Sequence, residues 1–170
     1  MIMIEYIKNI DQQLFIFLNS FNNEIFDSIM LFVTHKYSWI PLYAFFLYLL
    51  IKHKGKKFWI YIIIIVITIT LSDQISTLIK HLICRYRPCH NLDISQIIHI
   101  PGNCGGQYGF VSSHAANSFS LATILFLILK NYYKSSCKLA CLLFFWATLV
   151  SYSRIYVGVH YPLDIICGAI

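Results

Sequence analysis

From Phe58 to Ile79 the chain runs twenty-two residues with a single charge, Asp73. Coiled as an α-helix at about 1.5 Å per residue, such a run crosses the ~30 Å hydrocarbon core of a bilayer. Its β-branched centre, Ile62 to Thr70, would also suit a buried strand in water, but the length and the adjoining Lys56 and Lys57 favour a membrane helix. The composition agrees: 58% of residues are hydrophobic and the mean hydropathy is +0.67, against roughly 45–50% apolar residues in soluble domains. Thirteen basic and seven acidic residues leave too little polar surface to solvate a globule, which excludes a disordered tail and a soluble nucleic-acid binder.

The net charge of +6 is therefore informative by position. Lys52, Lys54, Lys56 and Lys57 fill one short hydrophilic break, and Lys130, Lys134 and Lys138 fill another, each between long apolar runs, as expected of cytoplasmic loops. The three arginines, Arg85, Arg87 and Arg154, fall at the opposite ends of the apolar runs, where topology calls for few positive charges. They require another explanation.

The remaining segments order themselves around this frame. Met1 to Asp11 lacks the features of a secretory signal peptide, so the mature chain is expected to begin there. Residues 11–21 read as a short helix lying at the membrane interface. Ile25 to Ile51 is long enough to cross, with Pro41 expected to kink or divide it. Residues 88–111 form one long polar loop, and Ser113 to Leu129 and Leu139 to Ser153 are two further spans. A last helix starts near Tyr161 with only ten residues to Ile170, too few to cross. With the lysine loops inside, Lys80 to Ser113 and Arg154 to Asp164 share the outer face.

Three stretches on that face carry chemistry. In Lys80-His81-Leu82-Ile83-Cys84-Arg85-Tyr86-Arg87-Pro88, continuation of the preceding helix would put Lys80 and Arg87 two turns apart on one side, with Pro88 ending it. Such a pair serves as an interfacial anchor or as an anion site. In Val111-Ser112-Ser113-His114 the serines precede an apolar run. They suit a helix N-cap, and the free amides and helix dipole there also suit a phosphate, with His114 able to exchange a proton. In the third stretch His160 and Asp164 are four apart, so the carboxylate can hold the imidazole Nδ1 proton and leave Nε2 as a nucleophile; the pair is also a common structural contact. Gly158 suggests a bend before it. Gathered at one membrane face, these cations, amides and imidazoles suit phosphoryl transfer.

Lys80 with Arg87-Pro88, then Ser112 to His114, then Ser153-Arg154 with His160 and Asp164, resembles the tripartite motif of the type 2 phosphatidic-acid phosphatase superfamily over about residues 25–170. Val111-Ser112-Ser113-His114 stands where the family has Pro-Ser-Gly-His, so Ser113 replaces a Gly. The resemblance implies an all-α, integral-membrane helical bundle of about five to six spans with a short N-terminal interfacial helix, forming one phosphatase domain over residues 1–170. It implies that His160 attacks phosphorus, that Asp164 orients it, and that His114 acts as general acid and then as base. Lys80, Arg87, Arg154, Ser112 and Ser113 would bind the phosphate. No cofactor or metal is implied. Arg85 matches no motif position and is expected to be a supporting or headgroup cation.

The expected reaction is hydrolysis of a lipid phosphate or diphosphate in a bacterial inner membrane, with the site on the periplasmic side. Undecaprenyl diphosphate is the preferred substrate, and phosphatidylglycerol phosphate and lipid A are rivals. A phosphotransferase with the same site and a non-catalytic anion transporter or packing subunit are the alternatives. The expected partners are the lipid substrate and membrane lipids, with no nucleic acid and no obligate protein partner. Asp73 needs a polar partner within the membrane, and Lys80 is the nearest in sequence. Of six cysteines, Cys84, Cys137, Cys141 and Cys167 lie in or beside apolar helices. Cys89 and Cys104, in the outer loop, are expected to form a disulfide; a zinc site using them with His90 and His99 is the lesser alternative.

Overall fold

The computed structural model describes residues 2–133 and 135–170; the expectation for Lys134 lies outside them. The described residues form seven α-helices: α1 (Ile2–Asn19), α2 (Glu24–Thr34), α3 (Ile40–Lys54), α4 (Phe58–Ile83), α5 (Ser113–Leu129), α6 (Ser136–Tyr156) and α7 (Pro162–Ala169). No strand occurs among them, only an isolated antiparallel bridge between Tyr86 and Tyr108. The chain is an all-α membrane bundle. By length and hydropathy, the stretches Lys36–Ile83 and Ser136–Tyr156 are apolar and long enough to cross a bilayer. Along α4, Ile60, Ile63, Ile67, Leu71, Ile75, Leu78 and Leu82 are all exposed, a stripe that lipid covers at little cost.

The core lies between α3, α5 and α6. Leu50, Ala122, Leu125, Leu129, Leu143 and Ala147 are fully buried, and the two alanines let the helix backbones approach. Trp39 and Tyr43 meet the indole of Trp146 edge-on at 5.7 and 6.4 Å. At one end, Lys54 of α3 donates to the Tyr132 hydroxyl beyond α5 at 3.2 Å, which joins the two lysine-bearing turns. The ends of α4 and α6 and the starts of α5 and α7 meet at the other.

Two expectations change here. The helix expected over residues 11–21 runs from Ile2 to Asn19. Met3, Ile7, Ile10, Leu14 and Phe17 continue one exposed apolar stripe through it, while Asp11, Phe15 and Asn19, spaced four apart, are buried against the bundle. The segment from Ile25 to Ile51 is divided, as Pro41 suggested, but the break falls at His35, where the backbone turns extended; Pro41 sits in the first turn of α3, where its missing amide is not needed.

Candidate active site

Helix α4 ends at Ile83, because Cys84 adopts a left-handed conformation (φ 52°) and gives its amide to the Lys80 carbonyl. The helix therefore does not carry on to Arg87 as expected. Residues 85–87 run extended instead, pairing with 107–109 through Arg87 N–H to Gln107 O (3.1 Å) and Gly109 N–H to Arg85 O (2.8 Å). Alternation along an extended chain sends Arg85 and Arg87 to the same side. Arg87 is fixed by donating from Nε to the Tyr108 carbonyl (3.2 Å) and from Nη1 to the Cys104 carbonyl (2.7 Å). Cys104 is bonded to Cys89, which leaves no thiolate for the zinc alternative, and His99 is engaged instead with Asp27 at 2.7 Å.

Helix α5 opens the second part. Ser112 is fully buried and caps the helix: its hydroxyl accepts from the Ala115 amide and its carbonyl from the Ala116 amide, while its own amide donates to the Asp164 carbonyl at 2.9 Å. The first-turn amides of Ser113 and His114 have no intrahelical acceptor, so their N–H groups can donate to an anion at this helix start. The Ser113 hydroxyl accepts from Lys80 Nζ and lies 2.7 Å from Ser76 Oγ.

Helix α6 and the turn after it supply the third part. Arg154 donates from Nη1 to Thr34 Oγ1, and its Nε is buried without a partner. The Arg154 carbonyl accepts the amides of Val159 and His160, closing a turn around Gly158, whose φ of 77° and 2.9 Å approach of a would-be β-carbon to the His99 carbonyl exclude any side chain. His160 is 1% exposed, with Nδ1 3.4 Å from Asp164 Oδ2. That carboxylate oxygen also accepts the Tyr161 amide at 2.9 Å. Burial, then the charges of Arg154, Arg87 and Lys80, hold the His160 imidazole well below its ordinary pKa, so it is neutral.

These parts converge. A β-carbon placed on Gly109 would stand 3.0 Å from Asp164 Oδ2, 3.2 Å from Arg87 Cγ and 3.5 Å from His160 Nδ1. His114 lies within electrostatic reach of Arg154, His160, Arg87 and Lys80. Three cations, one of them with a guanidinium N–H unpartnered among the described residues, two imidazoles and a carboxylate thus lie within electrostatic reach of one another at the end of the bundle.

Two features differ from expectation. Asp73 does not bond Lys80; the Asn117 amide donates to it at 3.3 Å. Seven residues separate Asp73 from Lys80, about 10 Å along the helix, so each meets the antiparallel α5 at its own height, Asn117 and Ser113 respectively. The second feature is Asp11 of α1, which sequence reasoning did not single out. It accepts from Arg85 Nη2 at 2.6 Å and from the Leu163 amide at 2.9 Å, while Arg85 Nη1 donates to Asp164 Oδ1 at 2.9 Å. The Arg85 guanidinium also stacks 4.1 Å from the Tyr161 ring centroid. The only sequence signal was a charge on the inward side of an amphipathic helix, facing a second charge with no motif role.

Residues 61–170 match the profile of the PAP2 superfamily. The chain belongs to the PAP2 superfamily. A lipid A 4'-phosphatase of Bacteroides thetaiotaomicron is 38% identical over 99% of this chain and 74% of its own. A lipid A 4'-phosphatase of Porphyromonas gingivalis is 32% identical over 96% and 69%, and an undecaprenyl-diphosphatase of Sulfolobus acidocaldarius 29% over 92% and 70%. Among solved structures, the PAP2-type phosphatidylglycerolphosphate phosphatase of Bacillus subtilis superposes with a TM-score of 0.76 over 96% of this chain and 79% of its own, at 16% identity, and shares the fold. This PAP2 member is a membrane phosphatase, and the transporter and packing-subunit alternatives fall away.

Proposed function

We propose that this membrane lipid phosphatase removes a phosphate monoester from a lipid A-type glycolipid through a phosphohistidine on His160. The observation that carries the mechanism is the close approach of His160, Asp164 and Arg87 around Gly109, with Arg154, its Nε unpartnered among the described residues, within electrostatic reach of His160. The substrate reading draws on the two lipid A 4'-phosphatases, which match nearly the whole chain at higher identity than the undecaprenyl-diphosphatase. They count against undecaprenyl diphosphate, the substrate preferred from sequence alone.

Asp164 Oδ2, 3.4 Å from His160 Nδ1, closes to accept the Nδ1 proton as phosphate binds, so that the Nε2 lone pair faces phosphorus. Nε2 attacks in line; the P–O bond to the sugar breaks, and His114, protonated once the bound phosphate dianion offsets the surrounding cations, gives its proton to the departing oxygen. Lys80, Arg87, Arg154 and the amides of Ser113 and His114 neutralise the equatorial oxygens, with Ser112 holding the loop in place. His114, now neutral, takes a proton from water, which attacks the phosphohistidine and releases inorganic phosphate. The site occupies the end of the bundle opposite the lysine turns, consistent with an inner-membrane enzyme working on the periplasmic side.

Phosphate release in detergent from lipid A, phosphatidylglycerol phosphate and undecaprenyl diphosphate, with chelator present, tests this reading. Fastest release from lipid A, and its loss in His160→Ala, are expected. Equal release from the His160→Ala variant overturns the mechanism, and faster release from either competing lipid overturns the substrate.

A further inference from the structure

A cavity of about 560 Å³ opens beside Ser113 and His114 and extends between α3, α4, α5 and α6. Most of its wall is aliphatic or aromatic, which suits a hydrocarbon chain. Its polar groups are less easily explained. Asp73 and Asn117 both face it, one turn below His114, and the Asn117 amide donates to the Asp73 carboxylate. A carboxylate only accepts, so Asn117 must turn its NH2 toward Asp73, and the orientation of the amide is fixed. Its Oδ1 is then left buried, with no donor among the described residues. On the opposite wall the Trp146 indole N–H is likewise buried with no acceptor. A pocket meant only for hydrocarbon gains nothing from an acceptor pair and a lone donor, because each unpaired group costs free energy in lipid.

From these orphaned groups we infer that the cavity is a specificity site for an acyl chain that carries a hydroxyl or amide N–H close to the phosphate. The donor bonds Asn117 Oδ1, and a carbonyl deeper in the chain accepts from Trp146. Asn117 lies three residues from His114, about 4.5 Å along α5. The donor therefore belongs within a few bonds of the phosphate-bearing carbon, as in N-acylated or hydroxyacylated amino sugars. A polyprenyl chain offers neither donor nor acceptor at that depth. The inference rests on the phosphatase reading of the same site and specifies what that site selects.

The test compares a synthetic glucosamine 4-phosphate with amide-linked hydroxylated acyl chains and a glucose 4-phosphate with ester-linked chains lacking the hydroxyl, together with undecaprenyl phosphate. Wild-type enzyme is expected to favour the hydroxylated compound by at least tenfold in kcat/KM over the other two. Asn117→Ala and Asn117→Leu should bring that ratio below about threefold while retaining turnover of the compound without the hydroxyl; Trp146→Phe serves as a second probe should the Asn117 variants fail to fold. A wild-type ratio near one, or a ratio that all folded variants retain, overturns the inference and leaves the phosphatase intact. Failure of wild-type enzyme to release phosphate from any lipid overturns the phosphatase reading itself, and this inference with it.

Discussion

Arg85 donates to the carboxylate of Asp164 across 2.9 Å, and no other arginine makes a direct ion pair with an acid among the described residues. Its second nitrogen holds Asp11, so a buried acid of α1 is tied through one guanidinium to the carboxylate beside His160. Removing the shared cation leaves two buried carboxylates facing each other without a counter-charge, a change that typically costs about 3–5 kcal/mol. Arg85→Gln is expected to lower the denaturation midpoint in detergent and to reduce kcat more than it raises KM. Asp11→Asn, which leaves the Arg85–Asp164 contact in place, should be milder on both scales. Thermal melts and steady-state kinetics on the two variants check this order.

Gly109 offers a test of catalytic geometry. A methyl group there would press on Asp164, Arg87 and His160 at 3.0–3.5 Å. Gly109→Ala is expected to cut kcat by roughly tenfold to a hundredfold, as misplacement of reacting groups by about 1 Å does, with a loss of stability of about 1–3 kcal/mol from the crowding. A fully active variant would mean that the groups around this position do not act together.

His160 titrates out of the neutral range because it is buried among cations. An unfolded chain takes up a proton on this residue below about pH 6.5, whereas the folded chain does not. The contribution of this residue to folded stability should therefore fall as pH drops below about 6.5, by at most about 1.4 kcal/mol per pH unit. Replacing His160 by Gln should remove that contribution, so that the variant loses less stability than wild type over this range. Melting curves from pH 5 to 7.5 on both proteins give the comparison. The same shift keeps the proposed nucleophile unprotonated in mild acid, so activity lost there belongs to another group.

The Cys89–Cys104 disulfide closes a loop of fifteen residues, worth roughly 3 kcal/mol on chain-entropy grounds. The Cys104 carbonyl also anchors Arg87. Reductant, or the Cys89→Ala/Cys104→Ala double variant, is expected to lower the melting temperature and to raise KM for the lipid phosphate. An unchanged KM would show that Arg87 is held well enough by Tyr108 alone.

The positions of the long helices were largely legible because they depend on local rules. Apolar run length set α4, α5 and α6 to within a few residues, and lysine position grouped the turns that Lys54 and Tyr132 bring together. Contacts that depend on how helices pair were not legible. The i,i+7 rule named Lys80 as the partner of Asp73 because it sees only one helix, whereas antiparallel packing supplied Asn117. Continuing α4 to Arg87 was reasonable by pattern, but a left-handed Cys84 is not a residue that sequence marks as a stop. Asp11 was invisible for a related reason: its role exists only once α1 lies against α7.

Boundaries drawn from family likeness deserve reconsideration in that light. The profile match starts at residue 61, and every motif position falls inside it. One brace of the centre sits fifty residues upstream, on a helix whose outer side is greasy and whose inner side carries Asp11. A fragment trimmed to the matching region would keep all the signature side chains and still leave Arg85 without its second anchor. By its contacts, the first helix is part of what holds this centre together.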